Sequence, residues 1–432
     1  MDKLWKEWAR IRSSSLTHNT GWMIAGSGLG YVLVGIYFVI LARLLGAVQY
    51  GVFVGAFAFV DLAARYSTLG TGTIFLRYAS IDRNRFALYW GNLLLVATAG
   101  GLIVTTVVHL AGRHLLNPAS AALVMLAALA NCFGTQITIA AAQVFQAVEQ
   151  MRITAALNLL TNFLRTLAAV VLMLLFHRIT AWQWALASTV VSLTGSVLAV
   201  NVILIHFGKP QFSLSLLRRR LLEGIEFAFA NSTTSAYNDL DKVMLSHYGM
   251  NAGNGIYTLA YRAIDIAGMP VGSLKDAAMP RLFRKGAEGL SEAAALARRL
   301  WRRSIVFSLV LACGMFLLAP LVPYIAGHSF AETAVALRWL CLIPVFRSLH
   351  TIAGSALTGA GLQRYRTATQ VVAVVLNILL NLWLIPIHGW RGAAWASLAT
   401  DGALGVMNWG MLKILVAQSL RRTLCQPLNS SR

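Results

Sequence analysis

The sequence predicts an all-α, polytopic membrane protein with about twelve transmembrane helices. Of its 432 residues, 58% are hydrophobic and only 12% are charged, whereas about a quarter of the residues of a soluble domain are charged. Apolar blocks of about 20 residues or more recur along the chain, and this length crosses a hydrocarbon core about 30 Å thick. The blocks do not alternate polar with apolar residues, which excludes the strands of a membrane β-barrel.

Twelve apolar blocks give the predicted spans. The first block is too long for a cleavable signal peptide and many more follow it, so we expect it to remain as the first span. Pro344 precedes the polar residues of the tenth block, and we expect it to bend that helix. The spans are predicted at residues 20–43, 50–70, 86–110, 119–146, 154–176, 182–206, 224–246, 254–279, 304–326, 332–358, 367–387 and 392–416.

The net charge of +21 indicates membrane topology rather than nucleic-acid binding. Lys and Arg lie mainly in alternate connections between the apolar blocks, which is the pattern of the positive-inside rule. With the N-terminus in the cytoplasm, the basic connections are all cytoplasmic, and both termini lie on that side. The basic residues concerned are Arg77, Arg83, Arg85, Arg152, Lys209, Arg218, Arg219, Arg220, Arg281, Arg284, Lys285, Arg298, Arg299, Arg302, Arg303, Arg364, Arg366, Arg421 and Arg422.

Two lobes of six spans are predicted. The N-terminal lobe is residues 1–207, the cytoplasmic linker is 208–223, and the C-terminal lobe with a short cytoplasmic tail is 224–432. An even number of spans gives both lobes the same orientation. An internal repeat supports the division, because one offset of 204 residues pairs Gly51 with Gly255, Asp61 with Asp265 and Arg77 with Arg281.

Polar residues at helical spacing interrupt five of the apolar blocks. Ionisable side chains in hydrocarbon cost several kcal/mol, so they normally face a bundle interior or a water-filled cavity. The seventh and eighth spans are therefore predicted to line the path of a polar, anionic cargo. For the Asn and Thr positions, hydrogen bonding between helices is the favoured interpretation. The polar residues are Asp61, Arg65 and Thr68; Asn158, Thr161, Asn162 and Arg165; Asn231, Thr234, Ser235, Asn238, Asp241 and Lys242; Thr258, Tyr261, Arg262 and Asp265; and Arg347, His350, Thr351 and Thr358.

The arginines of these spans are the strongest candidates for cargo binding. Three pairs of opposite charges are spaced so that their members could neutralise each other on one helix, namely Asp61 with Arg65, Arg262 with Asp265, and Asp241 with Lys242. Arg165 and Arg347 have no acidic neighbour on their own helices. Each therefore needs an anion from another helix or from a ligand, and guanidinium suits phosphate. The predicted substrate-binding residues are Arg262, Arg165, Arg347, Arg65, Lys242 and Asn238, and the candidates for ion coupling are Asp241, Asp265, Asp61 and Glu226.

The sequence predicts neither an enzyme nor a metal or cofactor site. It has no P-loop and no nucleophile–base pair, and its four cysteines lack metal-ligand spacing. A membrane-embedded polymerase or ligase would need a sizeable outward loop, and the outward connections here are short.

Motifs along nearly the whole chain resemble the polysaccharide flippase (Wzx-type) family. The motifs are Ala42-Arg-Leu-Leu-Gly46 with Tyr50-Gly51, Leu69-Gly70-Thr-Gly72 before Arg77, Gln146-Ala-Val-Glu149-Gln-Met-Arg152, Asp241-Lys242, Tyr257-Thr-Leu-Ala-Tyr-Arg262, Pro280-Arg281, Gly359-Ala-Gly361 with Arg364, and Asn377, Asn381 and Pro386 before Gly392-Ala-Ala394. The resemblance implies two six-helix lobes around a central cavity, in a superfamily that also holds multidrug extruders and lipid II flippases.

The resemblance also implies a cargo and a place in the cell. The cargo would be an undecaprenyl-diphosphate-linked oligosaccharide, exported by alternating access across the bacterial cytoplasmic (inner) membrane for O-antigen, capsule or exopolysaccharide synthesis. Polysaccharide polymerase and chain-length proteins would be partners alongside the lipid bilayer. By analogy with lipid II flippases, Arg65 and Arg262 stand where arginines would contact the diphosphate.

Two alternatives stay open, a lipid II flippase and a multidrug or cation extruder of the same superfamily. The sequence departs from the lipid II pattern at Tyr31 and Tyr37, where that group tends to carry basic residues, and it lacks that group's two additional C-terminal spans.

Overall fold

A computed structural model describes residues 15–79, 85–148 and 150–424. The described part is α-helical and contains no strand, which confirms the all-α polytopic fold class. The structure does not describe four of the side chains singled out above. They are Arg77 of the predicted repeat and Asn231, Thr234 and Ser235 of the seventh span.

Thirteen helices of nine residues or more make up the described chain. Single turns of 3₁₀-helix lie at Arg65–Ser67, Ala319–Leu321 and His328–Phe330, and short α-helices lie at Pro118–Ala121 and Val322–Ala326. The longer helices are α1 (Ser15–Ala64), α2 (Thr71–Ala79), α3 (Phe86–Leu115), α4 (Val124–Ala147), α5 (Met151–Leu175), α6 (Ala181–Phe207), α7 (Leu214–His247), α8 (Asn251–Glu288), α9 (Leu290–Leu318), α10 (Ala331–Leu340), α11 (Ile343–Gly359), α12 (Gln363–His388) and α13 (Trp390–Leu424).

Each of the twelve predicted spans overlaps these helices, although the second runs past the end of α1 at Ala64 and the ninth past the end of α9 at Leu318. By length and composition, seven of the described helices could cross a membrane, or eight if the bent pair α10–α11 is one span. Helix α1 contains two predicted spans, which are separated at Gly46 by a non-helical backbone conformation (φ 66°, ψ 172°). The α10–α11 pair bends by 42°, and Pro344 in the first turn of α11 is the predicted cause. Helices α7, α8 and α13 are not among the seven because their polar residues make them less hydrophobic than the other long helices.

The chain divides into two compact units, one ending at Gly255 and the other beginning at Ile256. In the first unit α1 packs along α5 and α7, and α4 packs against α2 and α6. In the second unit α11 packs against α9 and α13, and α12 packs against α13. The division into functional lobes at residues 208–223 stays a prediction.

A sharp turn ends α1 beside α7. The helix stops at Ala64, and the backbone then takes positive φ at Leu69 (44°) and Gly70 (66°) before α2 begins. A Cβ on Gly70 would lie 2.3 Å from the carbonyl oxygen of Gly224, and a Cβ on Gly224 would lie 2.3 Å from that of Leu69. Glycine at both positions therefore allows α7 to contact the turn backbone to backbone.

The two glycines of the predicted repeat lie against each other's helices. A Cβ on Gly51 would lie 1.8 Å from the carbonyl oxygen of Asn251, and a Cβ on Gly255 would lie 2.0 Å from that of Ala47. Ala47 precedes Gly51 by one helical turn, just as Asn251 precedes Gly255. The crossing of α1 with the start of α8 is thus symmetric under the offset that defines the repeat.

Candidate substrate-binding site

Arg347 finds its anion on a neighbouring helix of the second unit. Its Nη1 donates a hydrogen bond to Asp265 Oδ1 at 2.7 Å, and Arg262 Nη1 lies 3.6 Å from Asp265 Oδ2. The guanidinium of Arg347 also lies 5.6 Å from the ring centroid of Tyr261, within range of a cation–π interaction. Since two guanidinium groups share the Asp265 carboxylate, these three side chains carry one net positive charge.

These three ionic side chains remain accessible. The exposed fractions are 38% for Arg262, 35% for Asp265 and 30% for Arg347. Such partial exposure suits groups that border a hydrated space, which is where ionisable residues of membrane spans are normally found. The structure thus brings together Arg262, Arg347 and Asp265, which the sequence assigned separately to cargo binding and ion coupling.

A second polar contact of this unit involves a residue that the sequence reasoning missed. His350 Nε2 lies 3.5 Å from Asp401 Oδ1, and Asp401 is almost completely buried in α13. Asn408 Nδ2 donates to the carbonyl oxygen of His350 at 3.0 Å and Asn408 Oδ1 accepts from Thr369 Oγ1 at 2.6 Å. These bonds tie α11, α12 and α13 together, which is the interhelical role expected of polar residues in a membrane bundle.

In the first unit, Arg165 binds two hydroxyl groups. Its Nη2 donates to Thr135 Oγ1 at 3.2 Å and to Ser192 Oγ at 3.3 Å. Among the described residues, no carboxylate lies within 4.0 Å of this guanidinium, and its Nε is buried without a partner. Arg165 is therefore fixed in place by neutral groups while its charge remains without a neighbouring carboxylate.

The partner of Arg165 lies in an irregular part of α4. Residues Leu129–Thr135 form a π-helical turn, in which hydrogen bonds span one residue more than in an α-helix. Asn131 in this turn donates to Asp61 Oδ1 at 3.3 Å, and Thr135 at its end accepts from Arg165. One turn thus connects α4 to charged residues of both α1 and α5.

The seventh-span candidates are arranged differently from the prediction. Lys242 Nζ is buried and donates to Asp239 Oδ1 and to the carbonyl oxygen of Asn238. Asp241, the expected partner, accepts instead from the backbone N–H of Lys242 through Oδ1 at 2.7 Å. Asp239 was missed because it lies off the predicted stripe. The side chains of Asn238 and Glu226 are exposed.

The hypothesis that Asp61 and Arg65 neutralise each other on one helix is wrong in this structure. Helix α1 ends at Ala64, and Arg65 begins a 3₁₀ turn. Asp61 instead accepts a hydrogen bond from Asn131 of α4. No hydrogen bond or ion pair joins the Arg65 side chain to another described residue, and its Nε is buried.

Arg65 lies in a polar cleft between α1, α2, α4 and α7 that opens to solvent. We call this the Arg65 cleft. Its lining residues are Arg65, Thr68, Gly70, Gly72, Thr73, Gln136, Ile139, Ala140, Gln143 and Ala228. The sequence analysis missed Gln136 and Gln143, although their spacing of two helical turns within an apolar block was a signal of one polar face.

Comparisons with known proteins agree with a membrane transporter fold. A family model described as "Polysaccharide biosynthesis protein" matches residues 16–285. The uncharacterized membrane protein MJ1375 of Methanocaldococcus jannaschii is 22% identical over 415 residues, which cover 90% of this chain and 94% of that protein.

Two solved structures show the same fold at low identity. A multidrug resistance MATE family transporter of the MOP superfamily, in an inward-facing conformation, is 15% identical with a TM-score of 0.72, over 91% of this chain and 95% of that one. The lipid II flippase MurJ, in an inward closed conformation, is 11% identical with a TM-score of 0.72, over 90% and 87%. The family match covers more than half of the sequence, and the chain therefore belongs to the polysaccharide biosynthesis protein family.

Proposed function

We propose that this protein is a flippase that moves undecaprenyl-diphosphate-linked oligosaccharides from the cytoplasmic to the outer leaflet of the bacterial inner membrane. The units would serve O-antigen, capsule or exopolysaccharide synthesis. The family's link to polysaccharide biosynthesis and the fold shared with a lipid II flippase support a glycan carried on a lipid.

The uncompensated guanidinium of Arg65 is the observation that carries the proposal. A charged side chain within a membrane bundle is costly unless it meets water or a counter-charge, and Arg65 has no anionic partner among the described residues. Guanidinium donates in a planar fork that matches phosphate. Arg165, and Arg262 with Arg347, add positive charge in other spans of the protein, so the cargo that suits the protein is anionic.

Charge also gives the transport its direction. Outward movement of a negative diphosphate is favoured by an inside-negative membrane potential, by about 2.3 kcal/mol per charge per 100 mV. In alternating access the sugar and diphosphate would cross among the polar side chains while the polyprenyl tail stays in lipid. Asp61, Asp241, Asp265 and Glu226 are the proposed residues for coupling to an ion.

Export of surface polysaccharide in a strain that lacks its own flippase tests the function. We expect Arg65→Ala, Arg165→Ala and Arg262→Ala each to reduce export at least tenfold, because each removes more than one charge-assisted hydrogen bond to the diphosphate, at about 1.5 kcal/mol or more each. The amount of each variant in the membrane is measured in parallel.

Arg178→Ala is the matched control, since Arg178 is an exposed residue of the connection between α5 and α6. It should retain full export. Wild-type export by all three arginine variants would refute the diphosphate role. Resistance to cationic drugs that persists without any glycosyltransferase would instead favour the multidrug extruder, whose fold this chain shares.

A further inference from the structure

Besides Arg65, four polar side chains line the Arg65 cleft without a hydrogen-bond partner among the described residues. Thr68 and Gln136 are only 8% and 5% exposed, and neither side chain donates or accepts a hydrogen bond within the described residues. Thr73 and Gln143 likewise have no side-chain partner there. Buried polar groups in a membrane protein are costly unless something satisfies them. The polar atoms of these four side chains are not sealed from the cleft, so water or a ligand with several hydrogen-bonding groups can satisfy them there.

Glycine brings one of these amides close to the turn that begins α2. Gln143 Oε1 would lie 2.0 Å from a Cβ on Gly72, so a larger residue there would displace the amide. Gln136 lies two helical turns before Gln143 on the same face of α4, a rise of about 10 Å. The two amides thus line the cleft at different heights.

The chemistry of the lining indicates a ligand that is both anionic and rich in hydroxyl groups. Phosphate oxygens only accept hydrogen bonds, and the NH₂ groups of glutamine and the hydroxyl of threonine can donate to them. Carboxamides and hydroxyls also accept hydrogen bonds, and phosphate leaves this capacity of Gln136 and Gln143 unused. Sugar hydroxyls also do both, which makes them suitable partners for the amides while Arg65 binds the phosphate.

We infer that the Arg65 cleft binds a sugar joined to a diphosphate, with Gln136, Gln143 and Thr68 contacting the sugar nearest the phosphate and selecting for it. The inference rests on the proposed flippase function and adds the residues that discriminate the head group. In the predicted topology, the end of the second span, the end of the fourth and the start of the seventh are all cytoplasmic. The cleft would therefore meet the cargo on the side where it is loaded.

Binding to the full-length protein in lipid nanodiscs, measured by calorimetry, tests the inference. One probe is a short-chain isoprenyl diphosphate, and the other is the same compound with a single hexose on the diphosphate. We expect the wild type to bind the glycosylated probe about tenfold more tightly, because one or two hydrogen bonds give that factor. Gln136→Met and Gln143→Met, which nearly preserve volume, should each reduce this preference several-fold and leave the affinity for the bare diphosphate unchanged.

Two further variants separate the possible results. Arg65→Met should weaken binding of both probes by about 10- to 100-fold. Gln146→Met, an exposed position of α4 outside the cleft, should change neither. If the sugar preference survives in both glutamine variants, or if these variants weaken both probes equally, the sugar-contacting role is wrong although the flippase proposal stands. If the wild type binds neither probe, the proposed function itself fails.

Discussion

The crossing of α1 with the start of α8 makes a quantitative prediction about stability. In an ordinary contact a Cβ lies 3.4–4 Å from its neighbour, but the crossing leaves only 1.8 Å at Gly51 and 2.0 Å at Gly255. Because the obstructing atoms are backbone oxygens, an alanine can fit only if the two helices move apart. Overpacking of this kind costs about 1–3 kcal/mol, so we expect Gly51→Ala and Gly255→Ala each to destabilise the protein by about 2 kcal/mol.

The symmetry of the contact makes the double variant more informative than either single one. Helices that have separated to admit one methyl group already make most of the room for the other. We therefore expect Gly51→Ala with Gly255→Ala to cost about as much as one substitution, which is a coupling energy of about 2 kcal/mol. Reversible unfolding of the full-length protein in mixed detergent micelles, followed by circular dichroism, measures these free energies.

Gly268→Ala is the matched control on α8, because among the described residues no atom outside the backbone of its own helix lies within 4 Å of its Cβ position. It should be neutral or stabilising by up to about 1 kcal/mol, since alanine favours helix over glycine. Strictly additive costs in the double variant, or no cost in the single variants, would refute the close symmetric crossing.

The same unfolding assay tests two ion pairs. Asp265→Asn should lower the free energy of unfolding by about 1–2 kcal/mol. Breaking a fully buried pair costs more, but here both partners are about one-third exposed. A double-mutant cycle with Arg347→Met should give a coupling energy close to this value, and a coupling energy near zero would contradict the pairing. Asp239→Asn should cost about 2–3 kcal/mol, because it removes the carboxylate that accepts from buried Lys242. If Asp239→Asn is as stable as the wild type, this carboxylate does not balance the charge of Lys242.

The sequence predicted the fold class well because composition and block length are properties of whole helices. A hydrophobic block of 20 residues in a membrane has few alternatives to a helix, so each of the twelve predicted spans overlaps a helix. The bend near Pro344 was predictable for a similarly local reason, the missing N–H of proline.

Contacts between helices were harder to predict. The spacing of Arg262 and Asp265 gave a correct pair because both lie on one regular helix. The Asp61–Arg65 pair failed because Asp61 binds Asn131 of α4, and no sequence signal marked that contact. Arg347 was known to need an anion, but only the tertiary structure assigns Asp265 as its source.

The π-helical turn in α4 has a consequence for how this protein can evolve. A π-helical turn takes up one residue more than the α-helical turn it replaces, so one residue can be removed from Leu129–Thr135 without rotating the helix beyond it. Such a deletion would leave Gln136 and Gln143 facing the Arg65 cleft. A deletion in the regular helix between these two residues would instead rotate everything beyond it by about 100° and move Gln143 out of the cleft. The chain can therefore change length at the π-helical turn while the lining of the cleft is kept.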